Sequence, residues 1–424
     1  MEMENYILKG NIYYSVTPTE MEMLENQYLI CKDGKSAGVF KSIPKEYEGF
    51  VLYDYSNHTI IPGLIDLHVH APQYGFRSTG MDMELLDWLL ANAFKEEGKF
   101  KDLEYAKKAY GYYVGDLVKS ATTRACIFAS RHTDATILFM EELEKTGLIT
   151  YVGKVNMDRN APDYLVEESA EESISETIRW IESVKYLQNT KPMITPRFIP
   201  SCTDELMYAL GDIQKKYNLT AQSHLSENFG EIEWVKELCP NSKFYGDAYN
   251  EFGLFGTNGK TIMAHCVHSS DEELEMMKEN GVFIAHCPES NINVSSGIAP
   301  ARKYMEKGME MGLGSDVSGG TDISMFKAMV HAIQVSKLRW RLIDDTEKAL
   351  TTEEVFYLAT IGGGKFFGDV GSFAEGYEFD AVVIDDEQIP HPQELTLMQR
   401  LERILYLSDD RHIVDKFVAG QRIQ

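Results

Sequence analysis

Two histidines one residue apart, His68 and His70, follow the segment Pro62-Gly63-Leu64-Ile65-Asp66-Leu67. Side chains two apart on a strand point to one face, so both imidazoles converge if this run is a strand. Imidazoles and carboxylates hold zinc and similar ions, and an H-x-H pair supplies half of such a site. Three more metal-competent residues close short apolar runs further along. His224 follows Leu219-Thr220-Ala221-Gln222-Ser223, His265 follows Thr261-Ile262-Met263-Ala264, and Asp316 follows Gly312-Leu313-Gly314-Ser315. A divalent ion in such a ring of ligands lowers the pKa of a bound water to about 7, which is the chemistry of hydrolysis at neutral pH. Glu227 lies three residues beyond His224, on the turn after that run. By position alone it reads either as an acid–base group beside the ion or as a carboxylate at a helix N-terminus.

Residues so far apart in sequence meet only if the fold gathers the ends of several strands. From about residue 63 to 365, short apolar runs alternate with longer amphipathic segments. The spacing predicts strands over 65–69, 122–128, 149–155, 193–198, 219–223, 261–265, 282–286 and 311–314, with helices between them such as 173–187 and 271–279. Eight strands alternating with helices predict an α/β fold, a closed parallel (β/α)8 TIM-like barrel with its chemistry at the C-terminal strand ends. Both termini differ from this middle. Tyr6-Ile7-Leu8-Lys9-Gly10-Asn11-Ile12-Tyr13-Tyr14, Gln27-Tyr28-Leu29-Ile30-Cys31 and Phe379-Asp380-Ala381-Val382-Val383-Ile384 are rich in β-formers. They predict a small composite β-sandwich domain from 1–62 plus 371–424, around a catalytic barrel over 63–370.

Composition narrows the function. The 424 residues are 44% hydrophobic and 25% charged, as in ordinary globular proteins. A net charge of −25 excludes a general nucleic-acid binder, which needs a basic surface. No apolar run is long enough to span a bilayer, and the first residues are acidic, unlike a secretory leader. The six cysteines form no C-x-x-C pair and read as reduced thiols of a cytoplasmic protein. Gly256-Thr257-Asn258-Gly259-Lys260-Thr261 ends like a phosphate loop but has Leu254 where that loop needs glycine. His132 and His286 also follow predicted strands and read as structural, hydrogen-bonded histidines; Trp88 reads as core.

The order P-G-x-x-D-x-H-x-H, then His224, His265 and Gly314-Ser315-Asp316, resembles the amidohydrolase superfamily. Further segments resemble the guanine deaminase family: His70-Ala71-Pro72-Gln73, Asp82 to Leu89, Lys154-Val155-Asn156-Met157-Asp158-Arg159-Asn160, Arg197-Phe198, His224-Leu225-Ser226-Glu227-Asn228 and Gly314 to Thr321. The likeness covers nearly the whole chain. It departs at Ser318, where the family usually has Gly, and at Lys95, near a position often held by Pro.

The resemblance implies one Zn2+ per chain held by His68, His70, His224 and Asp316, although Fe2+ suits the same donors. A bridging lysine of binuclear relatives is missing: the fourth strand ends Thr195-Pro196-Arg197-Phe198, and Lys154 on the third reads as structural. The catalytic residues implied are Asp316 as acceptor of the water proton, His265 steering that water, and Glu227 as general acid at N3 of guanine. The substrate contacts implied are His70, Gln73, Arg197, Phe198, His224, Glu227 and Asp316. The reaction would be hydrolytic deamination at C2, giving xanthine and ammonia. A related amino-heterocycle, such as a pterin, a triazine or an oxidised guanine, is the other substrate class the pattern allows. The family also implies a homodimer, and the acidic charge and lack of a spanning apolar run predict no nucleic-acid or membrane partner.

Overall fold

The computed structural model describes residues 4–423. Four strands open the chain: β1 (Tyr6–Thr17), β2 (Glu20–Lys32), β3 (Lys35–Phe40) and β4 (Val51–Pro62). Nine more follow: β5 (Leu64–His70), β6 (Thr122–Phe128), β7 (Ile149–Gly153), β8 (Val155–Asn156), β9 (Thr190–Pro196), β10 (Thr220–Leu225), β11 (Thr261–His265), β12 (Phe283–His286) and β13 (Met311–Leu313). The chain ends with β14 (Ala381–Ile384), β15 (Ile413–Val418) and β16 (Gln421–Arg422).

The middle strands pair in parallel in the order β5-β6-β7-β9-β10-β11-β12-β13, with the short β8 on β9. Every residue of β5, β6, β11 and β12 is buried. A parallel sheet covered on both faces favours short, largely apolar strands, which is why they were legible in the sequence. The barrel closes just past β13. The Asp316 amide donates to the His68 carbonyl at 2.8 Å, and the His70 amide donates to the Val317 carbonyl at 2.9 Å. Gly314 permits this approach, because a Cβ there would stand 2.9 Å from both His68 Cβ and Cys287 Sγ.

The two ends of the chain zip together through antiparallel β4 and β14, with Ile61 opposite Val382. The resulting sheet runs β3-β2-β1-β4-β14-β15-β16. Tyr6, Leu8, Ile12, Ala381, Val383 and Phe417 enclose a core of their own with Leu29, Ile60 and Phe379. Tyr13, Ile61, Val382, Ile384 and Val418 instead join the core around the barrel. A buried ion pair ties sheet to barrel: Arg124 of β6 donates to Asp380 at 2.7 and 3.0 Å and to Glu378 at 2.7 Å. Lys416 of β15 donates its buried ammonium to the carbonyls of Leu117, Ser120 and Thr122.

Boundaries shift from expectation where local hydrogen bonding decides. The helix expected at 173–187 spans Ala170–Val184, because the Ser169 hydroxyl accepts from the Glu172 amide and starts it earlier. The third barrel strand breaks at Lys154, whose buried ammonium is held 2.5 Å from Glu167. The fourth starts at Thr190 and ends at Pro196, leaving Arg197 and Phe198 beyond it. No helix among the described residues is long and apolar enough to cross a membrane.

Candidate active site

The C-terminal strand ends bring His68, His70, His224, His265 and Asp316 into one buried cluster. His70 Nε2 lies 3.2 Å from His224 Nε2, and Asp316 Oδ1 lies 3.1 Å from His68 Nε2 and 3.5 Å from His70 Nε2. Ligand atoms about 2.0–2.1 Å from a tetrahedral zinc lie roughly 3.3 Å from one another, so this spacing fits one ion. Buried His68 has no aligned hydrogen-bond partner for either ring nitrogen, an arrangement that is costly unless the ring has an ion to bind. Burial, reinforced by His68, pulls the imidazoles of His70 and His224 well below their usual pKa, so both are neutral and offer lone pairs. The carbonyl of Arg197 meets His224 Nδ1 at 2.6 Å, the outer hydrogen bond that aims a ligating histidine.

Cys287 also lies within reach of His68, His265 and Asp316. Burial pushes its pKa far up, and its thiol donates to the Ala285 carbonyl at 3.4 Å. It is therefore a poorer donor than the expected four. Lys154, committed to Glu167, brings no second ligand set to the barrel mouth.

The backbone is bent to make this cluster. Ser226, His265 and Asp316 all have left-handed φ, at +48°, +71° and +45°. For residues other than glycine each such conformation costs about 1–3 kcal/mol and is typical of functional sites.

Beside the cluster lies a pocket that His70, His224, His265 and Asp316 also line. Leu85, Trp88, Leu89, Phe198 and Val294 form its apolar walls, and Glu227 and Glu231 line it too. Glu227 Oε2 stands 3.5 Å from His265 Nε2, and its Oε1 accepts from Ser296 at 3.0 Å. Its side chain does not cap a helix. Asn228 and Glu231 make the capping box of Phe229–Leu238 and free Glu227 to face the pocket. Burial raises the Glu227 pKa; Asp316 adds to this and His265 opposes it. For His265, burial lowers the pKa but Glu227 and Asp316 together raise it above the usual value. Its Nδ1 is paired with Asn291 Oδ1 at 2.9 Å.

On the other side are Gln73, Arg197 and Phe198. Ser318, one of the two departures from the family pattern, presents its amide to Gln73 Oε1 at 3.2 Å. Lys95, the other, is exposed. Several pocket-side residues escaped the sequence, among them Trp88, read as core, Glu231, Ser290 and Val294; so did Glu97, between Gln73 and Arg197, and Asn291, the partner of His265. Phe94-Lys95-Glu96-Glu97-Gly98-Lys99 reads as an ordinary mixed-charge segment and gives no local signal for Glu97. His132 and His286 do not line the pocket. His286 is not hydrogen-bonded as expected: both of its ring nitrogens are buried without partners, and burial holds its pKa down at about 4.

A parallel barrel with metal-competent histidines at its strand ends and a protonatable carboxyl across the pocket defines a metal-dependent hydrolase. The chain belongs to the amidohydrolase family, whose sequence model matches residues 59–423. Among its full-length relatives are guanine deaminases. It is 38% identical to the guanine deaminase of Dictyostelium discoideum over 448 residues, covering 99% of this chain and 98% of that one. It is 38% identical to that of Homo sapiens over 443 residues, covering 99% and 96%. A solved guanine deaminase from C. acetobutylicum, with guanine in its active site, superposes with a TM-score of 0.96 at 48% identity, covering 99% of this chain and 100% of that one.

Proposed function

We propose that this pocket hydrolyses guanine at C2, releasing xanthine and ammonia. The observation that carries the reading is one geometric fact. A buried carboxyl with a raised pKa, Glu227, and the histidine–aspartate cluster border one pocket that also presents Gln73 and Arg197.

His68, His70, His224 and Asp316 would hold one zinc ion; iron suits the same donors. When bound, that ion supplies an activated water at neutral pH. The remaining work belongs to the chain. Asp316 Oδ2 lies 3.7 Å from His265 Nε2 and is the oxygen free to take the water's proton. His265 orients that water from its position between Asp316 and Glu227. Glu227, whose pKa burial raises, donates its proton to N3 as charge builds on the ring, then takes the proton of the new C2 hydroxyl and passes it to the amine, which leaves as ammonia; the water proton held by Asp316 returns to Glu227. Gln73 donates and accepts along the purine edge, Arg197 donates to O6, and Phe198 packs on the ring. His70, His224 and Asp316 complete the wall nearest C2.

The same reading treats 1–62 plus 371–424 as the composite β domain and 63–370 as the catalytic barrel. It places the protein in the cytoplasm as a homodimer without nucleic-acid or membrane partners. The acidic charge and six unpaired cysteines support the compartment and the absence of nucleic acid. Exposed Leu338, Leu342 and Ile343 offer apolar surface for a second copy.

The test is turnover of guanine by metal-analysed protein, following xanthine and ammonia, with adenine and a pterin as controls. Guanine turnover with about one ion per chain supports the reading. Intact metal with turnover of the pterin instead of guanine would reassign the substrate.

A further inference from the structure

We propose that Glu97 is a positioning residue that fixes the hydrogen-bonding pattern shown to the purine, by holding Gln73 and Arg197 on one carboxylate. This rests on the reading of those two side chains as guanine contacts. Glu97 Oε1 accepts from Gln73 Nε2 at 2.8 Å, and Glu97 Oε2 accepts from an Arg197 terminal nitrogen at 2.6 Å. All three residues are buried. The Gln73 amide is held at both ends, since its Oε1 takes the Ser318 amide. Rotating it by half a turn would set its oxygen against a carboxylate and its NH2 against an N–H. One N–H and one lone pair therefore stay pointed at fixed places.

Arg197 is held by two contacts as well. One terminal nitrogen is spent on Glu97, and the guanidinium carbon sits 4.8 Å from the Phe94 ring centre. Its other nitrogens have no acceptor among the described residues and remain available for a carbonyl of the substrate. Glu97 also supplies the counter-charge that lets a buried guanidinium line a largely apolar pocket. Its helix, Phe94–Gly98, follows directly on the widened turn Leu89–Ala93, an irregularity often found beside functional sites.

The test is a double-mutant cycle between Glu97→Gln and Gln73→Ala, with Arg197→Ala as a further single variant, all on metal-loaded enzyme. E97Q is expected to keep its metal and raise the KM for guanine about tenfold, the scale of one charge-assisted hydrogen bond, with kcat changed by less than about threefold. In the Q73A background E97Q is expected to raise KM by no more than about threefold, because coupled residues are not additive. E97D, which keeps the charge, is expected to fall between wild type and E97Q; it replaces E97Q in the cycle if that variant does not fold. An E97Q enzyme with wild-type KM, or effects that simply multiply, would overturn the proposal while leaving the guanine contacts standing. Q73A and R197A variants that both bind guanine normally would overturn the contact reading, and the proposal with it.

Discussion

Asp316 and His68 meet twice: the Asp316 amide donates to the His68 carbonyl at 2.8 Å, and their side chains approach to 3.1 Å. The first contact closes the barrel, and the second builds the metal-competent cluster. Closure of the fold and assembly of the site are thus one event, linking the first strand of the barrel to the segment just past its last. An ion that binds only the closed barrel stabilises it by roughly 2.7–4.1 kcal/mol at 100–1,000 times its dissociation constant. A chelator should therefore lower the Tm of the wild-type enzyme. His68→Ala should lose the metal and show no chelator response. Thermal unfolding with metal analysis checks both.

The alkaline limb of activity belongs to Glu227. Glu227 must be protonated to act as an acid, so kcat/KM should fall as pH rises through its pKa, which burial raises. Ser296 donates to the Glu227 carboxylate and favours the ionised form. Ser296→Ala should therefore raise the Glu227 pKa further and move the alkaline limb to higher pH. A kcat/KM profile for wild type and S296A measures the shift; movement to lower pH would contradict the assignment.

The join between sheet and barrel depends on Arg124. Removing one partner of a buried ion pair leaves the other charge uncompensated and costs about 3–5 kcal/mol. Arg124→Met should lose about that much in chemical denaturation, because Asp380 stays buried behind it. Guanine turnover below the melting transition should stay within about twofold of wild type, since Arg124 lies remote from the pocket.

Much of this architecture is legible in the sequence because the barrel's needs are local. β6 and β11 fall where the apolar runs predict, and each metal-competent residue stands at a strand end because the strand itself delivers it. Glu227 is legible by its spacing from His224. What escapes is decided by distance in the chain. Glu97 gains its meaning from Arg197, a hundred residues away, and no local pattern encodes that meeting. Trp88 is buried like a core residue and lines the pocket as well, and composition cannot separate those two states. The helix at Ala170–Val184 was displaced because a single serine hydroxyl set its start.

The central claim is that Glu227 supplies the proton that lets guanine lose its amine. Glu227→Gln keeps the shape and removes the transferable proton, so the measurement is single-turnover xanthine formation by the metal-loaded variant, with guanine affinity determined alongside. The account predicts a loss of about 10²–10⁴-fold in the chemical step, with metal content and guanine binding retained. A variant that deaminates guanine within about threefold of the wild-type rate while holding its metal would contradict the account.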